Sequence, residues 1–141
     1  MIVADVNLIT YLLVDGESTP FAERVFEIDS EWVAPAIWRH EFLNVMATLV
    51  RGGVISLHKA LEALQKADHL VSPPDAVPAD DVVLRLAVES KHATYDCEFI
   101  ALAQDLGLYL VTNDRKLREK FRLTALSLEE FAAKHGRSIT P

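Results

Sequence analysis

The sequence predicts an α/β fold in which a short, mainly parallel sheet is covered by helices on both faces. Two observations carry this. Short apolar runs alternate with longer helix-patterned segments along the whole chain, the alternation that builds a parallel sheet. The clearest of these runs, Leu108 to Thr112, is apolar almost throughout, as expected of a strand buried on both sides.

Taken in order, Ile2 to Asp5 reads as a buried strand, followed by a helix from about Asn7. Thr19-Pro20 signals a helix start, with Thr as N-cap and Pro at the first helical position, and that helix extends to about Asp29. Glu31 to Ala34 is a short strand. Pro35 opens a long helix that Gly52-Gly53 stops. Ser56 caps the next helix, whose inner side is assigned to Leu57, Leu61, Leu64 and Leu70, and which cannot pass Pro73-Pro74. An extended piece at Ala76-Val77 leads into a helix from Pro78 to about Lys91, with Leu84 and Val88 on its apolar face. Thr94 caps a helix that runs to Gly107. After the 108–112 strand come a basic helix from Asn113 to about Lys120 and an extended piece at Leu123-Thr124-Ala125. Ser127-Leu128-Glu129-Glu130 is a capping box for the last helix, which stops at Gly136. One domain over 1–136 is expected, with 137–141 as a frayed tail.

Composition narrows the function classes. Half of the 141 residues are hydrophobic, enough for a substantial core and against global disorder. The start has no basic region, and no apolar run approaches the roughly 18 residues of a membrane span. A cytoplasmic protein with no membrane partner is expected. Cys97 is the only cysteine, so no intrachain disulfide and no Cys-rich zinc site can form. The five histidines show no i, i+4 pair on one helix, which disfavours a His-based zinc site. Dinucleotide, P-loop and nucleophile-elbow motifs are absent. Trp32 and Trp38 read as core anchors. The net charge of −7 argues against a generic nucleic-acid coat, because phosphate contacts need Lys and Arg. Yet five of the fourteen basic residues lie between 115 and 122. Arg115, Lys116 and Arg118 are either a solvated helix face or a phosphate-steering patch next to Asp114.

Four acids occupy positions where a carboxylate is locally odd. Asp5 ends the first apolar run and Asp114 lies just past the clearest strand, and sites in parallel sheets form beyond the C-terminal ends of strands. Glu41 stands three residues after Trp38 and four before Val45, on the buried stripe of its helix. A carboxylate there needs a cation, an Arg or a proton. Asp96 lies in the first turn of its helix and aligns with Phe99, Ile100 and Ala103. Each acid also has an ordinary structural use: Asp5 and Asp114 as helix caps, Asp96 as a partner of the helix dipole, and Glu41 in a salt bridge to a distant Lys or Arg. If the fold gathers all four, they make a hard oxygen cage for Mg²⁺ or Mn²⁺, suited to phosphodiester hydrolysis. Thr112 would hold a carboxylate or water in place. Asn44, one turn beyond Glu41, would be a polar neighbour.

These segments resemble the PIN-domain nucleases, most closely the VapC-like toxins of toxin–antitoxin pairs. The matching stretches are Ile2-Val3-Ala4-Asp5-Val6-Asn7, Ala36 to Val45 around Glu41, Thr94 to Ala103 around Asp96, and Leu110 to Leu117 around Asp114. Each is short; their order over nearly the whole chain is what is specific. The resemblance implies an α/β/α sandwich, Mg²⁺ or Mn²⁺ dependence and endonucleolytic cleavage of single-stranded RNA regions. It places the family's four acids on Asp5, Glu41, Asp96 and Asp114, its hydroxyl residue on Thr112, and polar supports on Asn7 and Asn44. Glu98 departs from the family pattern. A cognate antitoxin and homodimerisation are further expectations of the resemblance. Hydrolysis with water rather than the 2′-hydroxyl as attacking group should leave 5′-phosphate and 3′-hydroxyl ends.

Rival readings are weaker. A haloacid-dehalogenase-type phosphatase would want an Asp where Asn7 stands, and a receiver domain needs an acidic pair near the first strand and a late Lys. The non-enzymatic alternative is a catalytically silent PIN-like module that holds RNA or a protein.

Overall fold

The structure, a computed structural model, describes residues 1–136, so the expected tail at 137–141 lies outside the described residues. Its strands are β1 (Ile2–Ala4), β2 (Trp32–Val33), β3 (Val71–Ser72), β4 (Leu110–Val111) and β5 (Ala125–Leu126). They form one sheet in the order β3-β2-β1-β4-β5, with every neighbouring pair parallel. The helices are α1 (Val6–Leu13), α2 (Thr19–Ile28), α3 (Trp38–Arg51), α4 (Leu57–Leu70), α5 (Asp80–Ser90), α6 (Thr94–Leu106), α7 (Arg115–Lys120) and α8 (Leu128–His135).

Starting from the central β1, the chain steps outward through β2 to β3, then crosses back to β4 on the other side of β1 and ends at β5. Right-handed crossovers in opposite directions put their helices on opposite faces. The packing agrees: α1 touches α2, α3 and α4, and α2 touches α8, whereas α5 packs on α6, which lies against β1 and β4. The result is the three-layer α/β/α arrangement. The reversal of strand order between β1 and β4 opens a crevice at their C-terminal ends, which is where such sheets place their sites.

The strands are only two or three residues long and depend on side-chain burial. Val3, Ala4, Trp32, Leu110 and Val111 are essentially inaccessible. The Trp32 indole N–H donates to the Asp29 carbonyl at 2.7 Å, so its polar edge is satisfied inside the core. Phe26 meets its ring edge-on at 5.6 Å. Trp38 packs on Phe42 as the other anchor. Ser127 and Glu130 form the expected capping box at the start of α8.

Several local expectations are corrected. The inner face of α4 is Ala60, Ala63 and Ala67, while Leu57 and Leu61 are exposed and Leu64 is half-buried. Small residues let α4 approach its neighbours closely, and that outweighs leucine's preference for the core. On α5 the buried residues are Val83 and Ser90; Leu84 and Val88 point to solvent. The extended piece at Ala76-Val77 carries no ladder, and Val77 is exposed; the strand is instead Val71–Ser72, directly at the end of α4. The last strand is shifted to Ala125–Leu126, leaving Leu123 in solvent.

Helix starts differ too. Thr19 is not a cap: its hydroxyl donates to the Tyr11 carbonyl at 2.7 Å and thereby ties α2 to α1. Thr94 is the first residue of α6 behind an Ala93 cap, and α3 begins at Trp38 after a turn from Pro35. The basic helix starts at Arg115, with Asp114 as its N-cap.

The α4 assignment yields a direct check. Ala67→Leu should destabilise the protein by about 1–3 kcal/mol in urea unfolding, because it overfills a fully buried contact. Leu61→Gln should stay within about 0.5 kcal/mol of the parent.

Candidate functional site

The ends of β1 and β4 are joined by side chains as well as by backbone. Asp5 follows β1 and caps α1, its Oδ1 accepting from the Val6 amide at 2.8 Å. Its Oδ2 accepts from the Thr112 hydroxyl at 2.5 Å. Thr112 is buried just beyond β4, and its oxygen in turn accepts from the Asp114 amide at 2.9 Å and the Asn7 side-chain amide at 3.2 Å. Asn7 also donates to Asp5 Oδ2 at 3.3 Å and accepts from the Asn113 amide at 3.2 Å. Every polar atom of this joint has a partner, as a buried network requires. Asp114 caps α7 by accepting from the Leu117 amide at 3.0 Å. Capping roles and a place in the cleft therefore coexist for Asp5 and Asp114.

The other two acids arrive from opposite layers. Glu41 comes from the first turn of α3 and Asp96 from the first turn of α6. Asp5, Glu41, Asp96 and Asp114 all line one open cleft of about 660 Å³, together with Asn7 and Asn44. Among the described residues no Lys or Arg lines it. Glu41 Oε1 is buried and has no hydrogen-bond partner among the described residues. The salt bridge that would have explained Glu41 structurally is absent among the described residues.

Electrostatics show that the four acids form one mutually repelling set. Burial first, then repulsion by Asp5, Asp96 and Glu98, pushes Glu41 up to about 7. Burial likewise raises Asp5 to about 6, against the bonds from Thr112 and Val6 that favour its charged form, with Asp96 and Asp114 adding repulsion. Asp96 is raised by burial and by Asp114, while His92 pulls it the other way. Glu98 contributes charge to Glu41 but does not line the cleft.

Four carboxylates and an orphaned buried oxygen are donor chemistry that fits a hard divalent cation. As they stand, no three His, Cys, Asp or Glu side chains among the described residues are spaced to hold an ion. The chain thus gathers the donors without drawing them into a closed cage, the arrangement expected of like charges.

The basic residues do not join this site. Arg115 pairs with Glu119 at 2.9 Å and Arg118 with Glu130 at 3.3 Å. Lys116 is exposed, and none of the three lines the cleft. Residues not singled out from the sequence do line it, namely Thr10, Tyr11, Ile37, His40 and Tyr95. Thr10 and Tyr11 lie three and four residues after Asn7, so helical spacing from that residue was the available signal.

Comparisons with known proteins bear on this geometry. The profile of the family described as PIN domain matches residues 2–122. Eight solved chains match the structure, among them PAE2754 from Pyrobaculum aerophilum, at a TM-score of 0.77 and 23% identity over 96% of each chain. At that identity the likeness speaks for the fold. No curated protein matches the sequence.

Two outcomes follow from the site. A carboxyl whose folded pKa is raised stabilises the fold relative to its ionised form below its unfolded pKa, and that contribution is lost as pH rises through the folded value. For Glu41 the window runs from 4.5 to about 7. In EDTA, Glu41→Gln should therefore lose less stability than the parent between about pH 5 and pH 8, by on the order of 1 kcal/mol after allowance for partial exposure. Thr112→Val should cost about 1–3 kcal/mol in urea unfolding, because it strands the Asp114 amide and the Asn7 side chain, whereas Thr112→Ser should retain most of the stability.

Proposed function

Because this chain belongs to the PIN domain family, we propose that it is a metal-dependent endoribonuclease of the VapC-like toxin type, hydrolysing single-stranded RNA regions and neutralised by a cognate antitoxin. PIN domains are generally metal-dependent nucleases. One observation carries the reading: among the described residues, Glu41 Oε1 is buried without a partner, amid three further carboxylates, in a cleft that no Lys or Arg lines. Such a group needs a cation or a proton, and a carboxylate set that large favours a cation.

In this reading Asp5 and Asp96 hold Mg²⁺ or Mn²⁺ directly, and Glu41 and Asp114 complete the set directly or through water. The cation, when bound, neutralises charge on the scissile phosphate and acidifies the attacking water. Thr112 and Asn7 are positioning residues that fix the Asp5 carboxylate by the bonds described. Asp114 is fixed by its own cap on α7 and by its amide bond to Thr112. Asn44, on the cleft wall, would be a polar support near the acids. Arg115, Lys116 and Arg118 are left with at most a steering role at a distance.

The acidic, cation-free cleft supports an antitoxin that presents Arg to it. Exposed apolar residues on α4 and α5, Leu57, Leu61, Leu84 and Val88, are surface that a second copy of the chain would cover. Among the described residues no helix is long and apolar enough to cross a membrane.

Incubation of purified protein with a mixed pool of structured RNAs tests the activity. Cuts should appear with Mg²⁺ or Mn²⁺, vanish in EDTA, and fall by at least about 100-fold in Asp5→Ala. The new ends should be 5′-phosphate and 3′-hydroxyl; 2′,3′-cyclic phosphate ends alone would refute the hydrolytic reading. Metal-independent RNA binding without any cut would favour a silent binding module.

A further inference from the structure

The cleft poses a problem that its acids do not solve. RNA is a polyanion, yet among the described residues the lining holds four carboxylates and no Lys or Arg. Phosphate neutralisation by the protein, the usual source of nucleic-acid affinity, is unavailable there. The walls are of a different character from the floor. Ile37, His40 and Val45 face the cleft from α3 and its N-terminal turn, and Tyr95 faces it from α6 in the opposite layer. Tyr95 is 52% exposed and has no ring partner or hydrogen bond among the described residues. The half-exposed ring of Tyr95 thus stands on the cleft wall, one residue before Asp96, with a face free to meet a ligand.

A nucleotide has the same division, with a flat apolar base on one side and an anionic phosphate on the other. Single-stranded RNA exposes the base faces that a duplex hides. Stacking on an aromatic side chain is worth about 1–3 kcal/mol per base and needs no positive charge. We propose that Tyr95 is a stacking platform for an unpaired nucleobase next to the scissile phosphate, and that this contact supplies affinity and single-strand selectivity that the acidic cleft lacks. The inference rests on the nuclease reading and adds to it the residue that holds the base. The apolar patch of Ile37 and Val45 faces the neighbouring nucleotide, and the exposed ring of His40 flanks it.

The test uses a short fluorescein-labelled single-stranded RNA of mixed sequence that the protein cuts, and the same RNA with abasic residues beside the cut. Initial rates with Mg²⁺ give KM and kcat for the parent, Tyr95→Ala and Tyr95→Phe. Anisotropy in an Asp114→Asn background reports binding without relying on turnover. Tyr95→Ala should raise KM and weaken binding by about 5- to 100-fold with kcat changed little, and Tyr95→Phe should match the parent. The abasic RNA should weaken the parent by a similar factor and leave Tyr95→Ala almost unaffected, since the contact is already gone.

Tyr95→Ala with parental KM, equal damage in Tyr95→Phe, or equal abasic sensitivity in the parent and Tyr95→Ala would each overturn the platform while leaving the nuclease intact. A parent that neither cuts nor binds any RNA in the presence of divalent cation would remove the nuclease reading, and this inference with it.

Discussion

The Thr112 hydroxyl is the joint on which the site depends. It donates to Asp5 at the end of β1 and accepts from the Asp114 amide and from Asn7, so one oxygen fixes the positions of both strand-end acids. Without such a joint, two carboxylates on adjacent strands would drift apart under their own repulsion. The order of the parallel strands reverses between β1 and β4, which supplies the crevice; Thr112 determines how the crevice is furnished. Burial makes the bond count for more, because a stranded partner inside the protein has no water to turn to.

The same joint explains why the site is electrostatically loaded. Asp5 is held at the floor by donors that favour its charge, yet burial outweighs them and raises its pKa. Glu41 and Asp96 are brought against it by helices packed on opposite faces of the sheet, and each adds repulsion. The fold therefore stores unfavourable energy where a cation would relieve it. Glu130, outside the cleft, shows the opposite behaviour: it accepts from the Ser127 amide, lies beside Arg118 and is held below its ordinary value.

The alternation of strands and helices was legible from the sequence, as was the gathering of four separated acids, because periodicity and strand-end position are local signals read through one topological rule. Glu41 was legible as a charge on an apolar stripe. What the sequence hid was close packing. Alanines form the inner face of α4 while its leucines face solvent, and only the approach of neighbouring helices decides that. The strand at Val71–Ser72 was concealed because it follows α4 without a break and is two residues long. The separation of the basic run from the cleft was also hidden: Arg115 and Arg118 are taken up in pairs with Glu119 and Glu130. Tyr95 left no signal, since a Tyr beside an Asp at a helix start is ordinary until its exposure and its cleft are known.

In the proposed reading Asp5, Glu41, Asp96 and Asp114 act as one carboxylate site that a hard cation relieves. Isothermal titration of Mn²⁺ into the protein near pH 7, repeated in buffers of different ionisation enthalpy, measures that relief. Binding should be accompanied by proton release, since raised carboxyls still hold protons near that pH, and both the binding and the protons should be lost in Asp5→Ala. Absence of binding at millimolar Mn²⁺, or binding that Asp5→Ala leaves unchanged, would contradict that reading.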